Sequence, residues 1–459
     1  MTEKINKLMN DSPVARWSAL ILIALMMFFG YMFVDVMSPL KNLVESSRGW
    51  DSGAFGTYAA SEYILNVCGF LIIAGIILDK MGIRFTGLLS ASLMVIGAGT
   101  KFIGISDWFQ TTGMAAWLDS WWVAMPASAK MASLGFMIFG CGCEMAGTTV
   151  SKSIAKWFKG KEMALAMGLE MAIARLGVFA VMWIAPIISE KFASNGMNSI
   201  VAPVAFCAAL LCIGLVFFGV FSVMDSKFDK QLKAAGEATD EPSEEEFKFS
   251  DLGKIFSSKM FWIVALLCVL YYSAIFPFQR YAPNYLGTTL GCGDDMGAKL
   301  FSCFPILAMC LTPLLGIFLD TKGKGATMLM IGSIIMIACH LCFAFVLPHY
   351  PSKALAVTIV VILGVSFSLV PAALWPSVPK IIDEKILGSA YCLIFWVQNL
   401  GLCFVPLIIG KVLQACKGDY TWPMVIFSSF GVLAFFFSIL LKAEDKKKGY
   451  GLEKPNIEK

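Results

Sequence analysis

Apolar runs of about twenty residues recur along this chain from Trp17 almost to its end, and they limit its fold more than any other feature. A helix needs roughly 20 such residues to cross the hydrocarbon core of a bilayer. We place twelve helices near residues 17–38, 55–78, 85–105, 130–152, 162–188, 200–224, 260–286, 297–319, 326–347, 354–378, 386–412 and 421–442. The sequence therefore predicts an all-α membrane protein with twelve transmembrane helices and both termini on one side.

Composition excludes the other large classes of protein. Only 15% of the 459 residues are charged, against about 25% in soluble domains. The 36 basic and 32 acidic residues nearly balance, which argues against a nucleic-acid partner. The 14 cysteines fall mostly inside apolar runs, and the two histidines have no metal-like or triad-like neighbours in sequence. We expect no enzymatic activity, no metal and no cofactor.

The distribution of basic residues predicts the orientation. The side that holds the termini carries 25 Lys and Arg, the other side carries 9, and 2 lie inside helices. Such a bias places the termini in the cytoplasm. Between residues 225 and 259 charged residues replace the large apolar ones. We therefore divide the chain into an N-terminal six-helix bundle (1–224), a cytoplasmic linker (225–259), a C-terminal six-helix bundle (260–442) and a cytoplasmic tail (443–459).

A loop pattern, G-x-x-x-D-x-x-G-x-R, follows the second helix and returns after the eighth, 241 residues later. The first copy consists of Gly75, Asp79, Gly82 and Arg84. The second copy keeps Gly316, Asp320 and Gly323 but has Gly325 in place of the arginine. A repeat of half-proteins is typical of secondary transporters. In this layout the chain resembles the major facilitator superfamily, with two pseudo-symmetric six-helix bundles.

The resemblance implies that this loop is a gate latch. A carboxylate at a helix exit meets positive helix N-termini and nearby basic residues when the cytoplasmic side is shut. The alternative is a tight cytoplasmic turn whose charges are simply hydrated.

Two opposite charges lie deep in adjacent helices. Glu144 is about fourteen residues into the fourth helix from outside, and Arg175 is about fourteen into the fifth from inside. At 1.5 Å per residue both are roughly 20 Å deep and near the midplane. A charge there costs several kcal/mol unless it is paired or hydrated. We expect them to face one cavity, where Arg175 binds a carboxylate and Glu144 an ammonium. The alternative is a structural ion pair.

Other polar residues are weaker candidates. Asp35 and Glu62 lie toward the outer third of the first two helices, where a cavity or coupling role and simple hydration compete. Glu170 serves packing or a secondary contact, and Arg280, near the outer end of the seventh helix, is expected to reach the lipid interface. Aromatic and proline clusters in the second half are expected to form an apolar wall facing these charges, and Tyr271 within them is a further possible cavity or coupling residue.

Three stretches are similar to the family of the animal lysosomal dipeptide carrier called major facilitator superfamily domain-containing protein 1. They are Trp157–Glu162 with Ala172–Gly177, Tyr271–Phe278, and Ala373–Pro376 with Leu387–Tyr391 and Gln398–Leu402. The resemblance implies transport of a small zwitterionic peptide by alternating access, as a uniporter. The implied substrate pair falls on Glu144 and Arg175, with Tyr272, Trp375 and Asn399 as the remaining wall.

The chain also departs from that family. Residues 106–129, with four tryptophans, form an external insertion that we do not expect in the animal carrier. We therefore expect no accessory subunit, and the short N-terminus shows no acidic dileucine signal. A cell (inner) membrane is favoured over a lysosomal one. The sequence makes no prediction of oligomeric state.

Two other functions fit the sequence. One is a proton-coupled carrier of small organic anions, in which Arg175 binds the carboxylate and Glu144 carries the proton. The other is a transporter-like sensor or scaffold without flux.

Overall fold

The computed structural model describes residues 8–158, 161–194, 196–234, 252–382 and 387–455. Residues 235–251 of the predicted linker lie outside this range. The described chain has eleven helical segments that are long and apolar enough to cross a membrane. One of them, Ser52–Ile105, has 54 residues, so it would be about 80 Å long if straight, far more than one crossing needs.

Gly82 breaks that segment into two membrane helices. Its backbone has φ 75° and ψ 173°, a conformation open to glycine because it has no Cβ. Before this break, contacts with the fourth helix advance along both chains together, from Glu62 with Gly140 to Asp79 with Lys152. After it they run in opposite directions, from Ser90 with Gly142 to Lys101 with Gly135. The chain therefore crosses twice here, and the described residues contain the predicted twelve helices.

The first half contains six of these helices. They are α1 (Pro13–Asp35), α2 (52–81), α3 (83–105), α4 (Ala127–Trp157), α5 (Met163–Lys191) and α6 (Val201–Ala234). Helix α1 begins where the Ser12 hydroxyl accepts a hydrogen bond from the Ala15 N–H and Pro13 occupies the first turn. Helix α6 runs past its predicted end at residue 224, because the polar residues that follow continue the helix outside the apolar run.

The second half repeats the arrangement. Its helices are α7 (Lys259–Thr289), α8 (Cys303–Lys322), α9 (Gly325–Leu341), α10 (Lys353–Ile381), α11 (Leu387–Ala415) and α12 (Thr421–Lys448). A short helix, Gly293–Phe301, leads into α8. The first and last described residues, Leu8 and Pro455, lie at one end of the bundle, which we call the terminal face; the other end is the opposite face.

The two halves pack most closely toward the opposite face. Gly56 on α2 lies against the backbone of Pro406 and Gly410 on α11, where a Cβ would leave no room. Nearer the membrane centre, α2 widens into a π-helical turn at Asn66–Phe70. The Val67 carbonyl in this turn accepts a hydrogen bond from the Trp396 indole at 2.9 Å. Close helix contact of this kind fixes the side of the membrane on which the halves meet.

Candidate functional site

A buried charge cluster joins the halves on the opposite-face side of the membrane centre. Arg280 on α7 forms ion pairs with Glu62 on α2 and, at 3.5 Å, with Asp35 on α1. It also donates to the Val34 carbonyl, and Gln279 donates to Asp35 at 2.6 Å. The expectation that Arg280 reaches the lipid interface is wrong, because its helix turns this position toward the other half rather than toward lipid. We call Asp35, Glu62 and Arg280 the gate cluster.

A second layer of polar contacts closes the same side nearer its surface. Asn42 donates from its backbone and side-chain nitrogens to Asp294 at 3.0 and 2.9 Å. Gln414 donates to Asp51 at 2.7 Å. Trp183 on α5 donates to Ser302 at 2.9 Å. Because each contact joins the N-terminal half to the C-terminal half, this face is closed.

Glu144 lies on α4, on the terminal-face side of the gate cluster. It is half-buried, and no basic group among the described residues lies within 4 Å of its carboxylate. Tyr31 on α1 interacts electrostatically with both Glu144 and Arg175. The two predicted charges therefore act on the same tyrosine without pairing with each other, so within the described chain the structural ion pair is not formed.

Arg175 reaches across the boundary between the halves. Its guanidinium carbon lies 5.8 Å from the ring centroid of Tyr31, 5.2 Å from that of Phe276 and 5.3 Å from that of Phe367. The last two rings belong to the second half. Glu170, one of the secondary candidates, interacts electrostatically with Arg175. Aromatic faces hold an arginine in place but leave its N–H groups free to donate to an anion.

Aromatic residues of α7, α10 and α11 form a connected wall beyond Arg175. Tyr272 stacks on Phe276 with centroids 5.3 Å apart, and its hydroxyl accepts from the Trp375 indole at 3.1 Å. Trp375 in turn stacks on Phe395 at 4.8 Å. Two predicted wall residues, Tyr272 and Trp375, are therefore in direct contact, and Phe276 connects them to Arg175.

Asn399 and Tyr271 are placed differently. Asn399 is buried on α11, and its amide donates to the Phe395 carbonyl of its own helix at 2.9 Å. Its side-chain oxygen has no hydrogen-bond partner among the described residues. Tyr271 does not join the wall: its hydroxyl bonds the Leu329 carbonyl and the Ser333 hydroxyl of α9. Adjacent helix positions differ by about 100°, so Tyr271 and Tyr272 cannot face the same side.

The first copy of the latch motif holds helices of its own half together at the terminal face. Asp79 pairs with Lys152 on α4 at 2.7 Å. Arg84 pairs with Asp229 on α6 at 2.6 Å and with Asp225 at 3.5 Å. Asp225 also accepts from Lys156 and from the Trp157 indole, at 2.8 and 2.9 Å. The motif thus ties α2, α3, α4 and α6 into one unit.

The second copy uses the C-terminal tail instead of an arginine. The N–H groups of Lys324 and Gly325 donate to the carbonyls of Glu453 and Leu452, at 3.0 and 2.9 Å. The Glu453 carboxylate accepts from the Thr327 N–H and hydroxyl, each at 2.8 Å. Leu452 is 2% exposed. The tail therefore caps the first turn of α9 at the position where the motif lacks its arginine.

Lys101 on α3 was missed by sequence reasoning, which counted it among the nine basic residues of the outer side. Its side chain is fully buried and lies among the rings of Phe33, Tyr58 and Phe136. Its sequence position was ambiguous because it lies four residues before the end of the predicted helix. The only available signal was its phase on α3, which matches the small residues Gly97 and Gly104 that contact α4.

Comparison with known proteins agrees with this architecture. A family model described as Major Facilitator Superfamily matches residues 108–406. A zebrafish (Danio rerio) protein named Lysosomal dipeptide transporter MFSD1 is 29% identical over 324 residues, which cover 70% of this chain and 67% of that protein. The protein of the same name from Pongo abelii is 24% identical over 448 residues, covering 96% of this chain and 88% of its own.

Among solved structures, a bacterial homologue of the human lysosomal transporter Spinster has a TM-score of 0.68. It is 14% identical, and the match covers 95% of this chain and 98% of that one. That structure is described as inward-facing and unoccupied. At this identity the similarity concerns the fold alone.

Proposed function

This chain belongs to the major facilitator superfamily, and on that premise we propose that it carries short peptides across the membrane by alternating access. Membership makes it a multi-pass membrane transporter rather than an enzyme. In the proposal, Arg175 binds the peptide carboxylate and Glu144 binds the peptide ammonium. The similarity to proteins named as dipeptide transporters supports this substrate class.

One observation carries the proposal. Arg175 lies against the ring of Tyr31, Glu144 acts electrostatically on the same tyrosine, and neither charge has an oppositely charged group within 4 Å among the described residues. Charges at this depth are costly unless water or a partner compensates them. A zwitterion offers a carboxylate for one and an ammonium for the other, so it would satisfy both at once. A free peptide fits this need better than a simple anion, which would leave Glu144 without a partner.

The aromatic wall would receive the rest of the substrate. Tyr272, Trp375 and their neighbours present ring faces and few hydrogen-bonding groups. Such surfaces accept side chains of many shapes, because contact with a ring demands little hydrogen-bond complementarity. Asn399, whose side-chain oxygen has no partner among the described residues, is the proposed polar contact for the peptide backbone.

A proton-coupled carrier of small organic anions remains the second candidate. The observation that favours it is again Glu144, a half-buried carboxylate that no described basic group neutralises. Such a group is suited to bind a proton as the carrier changes state. In this scheme Arg175 alone would bind the substrate.

We also propose that the terminal face is cytoplasmic and that the protein resides in a cell membrane. The excess of Lys and Arg on the terminal side supports this orientation. The relatives are named as lysosomal, so a lysosomal location is the alternative.

Purified protein in liposomes tests the proposal. We expect counterflow of a labelled dipeptide against an unlabelled one, without any need for a proton gradient.

Free dipeptides should also raise the melting temperature, since a ligand at one hundred times its dissociation constant adds roughly 2.7 kcal/mol of stability. N-acetylated and C-amidated dipeptides should shift it much less, because each leaves one charge unpaired. Equal shifts from blocked and free peptides would contradict the two-ended site, and uptake that requires acidification would favour the second candidate. Absence of flux would favour a sensor or scaffold.

A further inference from the structure

Lys101 is a buried lysine that neither the substrate site nor the latch uses. Its ammonium has no hydrogen-bond partner among the described residues. The nitrogen lies 4.2 Å from the ring centroid of Phe33, 5.0 Å from that of Tyr58 and 4.6 Å from that of Phe136. Ring faces attract a cation but do not accept its three N–H groups as oxygen atoms do. A buried polar group left unsatisfied needs a physical explanation.

The gate cluster lies beside this lysine. The ring of Phe136 is also 5.3 Å from the guanidinium carbon of Arg280, so the two cationic centres are no more than about 10 Å apart. Tyr58 precedes Glu62 by one helical turn. Lys101 is attracted electrostatically by Glu62 and Asp35 and repelled by Arg280.

We propose that the Lys101 ammonium pairs with the carboxylates of the gate cluster when Arg280 moves away from them. Asp35, Glu62 and Lys101 all belong to the first half, whereas Arg280 belongs to the second. Opening of the opposite face must therefore remove Arg280 from both carboxylates while Lys101 stays with them. The flexible four-carbon stem of a lysine allows its ammonium to turn from the rings to a carboxylate oxygen.

With this exchange of cations, the gate carboxylates would have a partner in both the closed and the open state. With the gate closed, Arg280 satisfies the carboxylates and Lys101 is left without an acceptor. With the gate open, Lys101 gains an acceptor and Arg280 enters water. The same lysine therefore destabilises the closed state and stabilises the open one, and a residue that interacts differently with two states shifts their populations. This role rests on alternating access and is independent of the substrate.

Hydrogen–deuterium exchange of the full-length protein, measured by mass spectrometry without substrate, tests this role. Lys101→Met fills the space between the rings with an uncharged chain of similar length. We expect exchange in peptides near the opposite face, such as 41–58 and 281–300, to fall roughly ten- to hundredfold, the factor that corresponds to a hydrogen bond to a charged group. Exchange near the terminal face should rise. Arg280→Met should have the reverse effect, and Lys101→Arg should keep the wild-type balance.

A matched control is Lys130→Met. Lys130 is a half-buried lysine near the opposite face whose ammonium bonds the Leu118 carbonyl at 2.6 Å, away from the gate cluster, so its loss should not alter the balance between faces. In an Asp35→Asn, Glu62→Gln background, Lys101→Met should have little further effect, because the amide oxygens that remain carry no negative charge to attract the ammonium. If Lys101→Met does not fold, Lys101→Gln provides the same comparison. Unchanged or faster exchange at the opposite face in the folded variant would overturn the proposal and leave Lys101 as packing.

Discussion

The two halves of this protein share six helices and a loop motif, yet they bring different chemistry to the membrane centre. The first half contributes charges, Glu144 and Arg175, whereas the second contributes rings, with Tyr272 and Trp375 in contact. At the terminal face the first half completes its motif with Arg84, and the second half completes it with the C-terminal tail. The shared fold therefore sets the positions of the helices, whereas the side chains that the helices present to the membrane centre differ between the halves.

The largest effect should come from the charged half of the central site. Arg175→Ala removes the proposed partner of the peptide carboxylate and leaves that carboxylate desolvated, a loss of about 2–5 kcal/mol in binding. We expect counterflow to disappear. Arg175→Lys should restore it poorly, because a point charge does not reproduce the planar fork. The control is Lys191→Ala, an exposed residue at the end of the same helix, and near-normal uptake by Arg175→Ala would assign the substrate site elsewhere.

The second largest effect should come from removing the C-terminal tail, which lowers the free energy of unfolding. A chain that ends at Gly449 loses the buried Leu452 and the hydrogen bonds from Lys324, Gly325 and Thr327. We expect a loss of about 2–4 kcal/mol in unfolding free energy, because burial of one leucine contributes about 1.5–3 kcal/mol and water replaces most of the lost hydrogen-bond partners. Thermal unfolding measures it. Glu453→Gln, which loses only charge, should cost less. An unchanged melting temperature would show that the tail does not replace the missing arginine.

Glu144→Gln separates the two candidate functions of the charged half. As the ammonium partner, Glu144 should contribute about 1.5–3 kcal/mol to peptide binding, so its loss weakens counterflow whatever the pH. As a proton carrier, its loss should abolish pH-driven uptake yet preserve counterflow. Measuring both activities side by side distinguishes these outcomes. Loss of neither activity would remove Glu144 from the site.

The smallest effect should come from Asp79→Asn in the first latch. Its ion pair with Lys152 is partly exposed, and such pairs contribute roughly 0–1 kcal/mol. We expect little change in melting temperature. The latch role that the sequence predicts requires in addition a shift toward the state open at the terminal face, seen as faster reaction of cysteines there. The latch role fails if that reactivity is unchanged.

The sequence predicted the fold well because membrane insertion depends on local properties. Twelve apolar runs are visible in the sequence, and the break between α2 and α3 coincides with Gly82 of the motif. Glu144 and Arg175 were recognised from depth alone, because any charge so far from water is conspicuous. Their roles stay predictions. Tyr271 was grouped with Tyr272 because the two are neighbours in sequence, and helix rotation separates them.

What the sequence determined by itself is the number of crossings, the internal repeat and the depth of Glu144 and Arg175, since length and apolarity are properties of single segments. The tertiary structure decided which of those charges meet. Arg280 pairs with Glu62 and Asp35 across the two halves, Lys101 is enclosed by rings from three other helices, and the tail returns to cap α9. These contacts depend on helix rotation and on how the halves pack, and each residue along a helix turns its side chain by about 100°. Moving a charged residue by one position along its helix does not change the composition, yet it can turn the side chain from the lipid toward a buried partner.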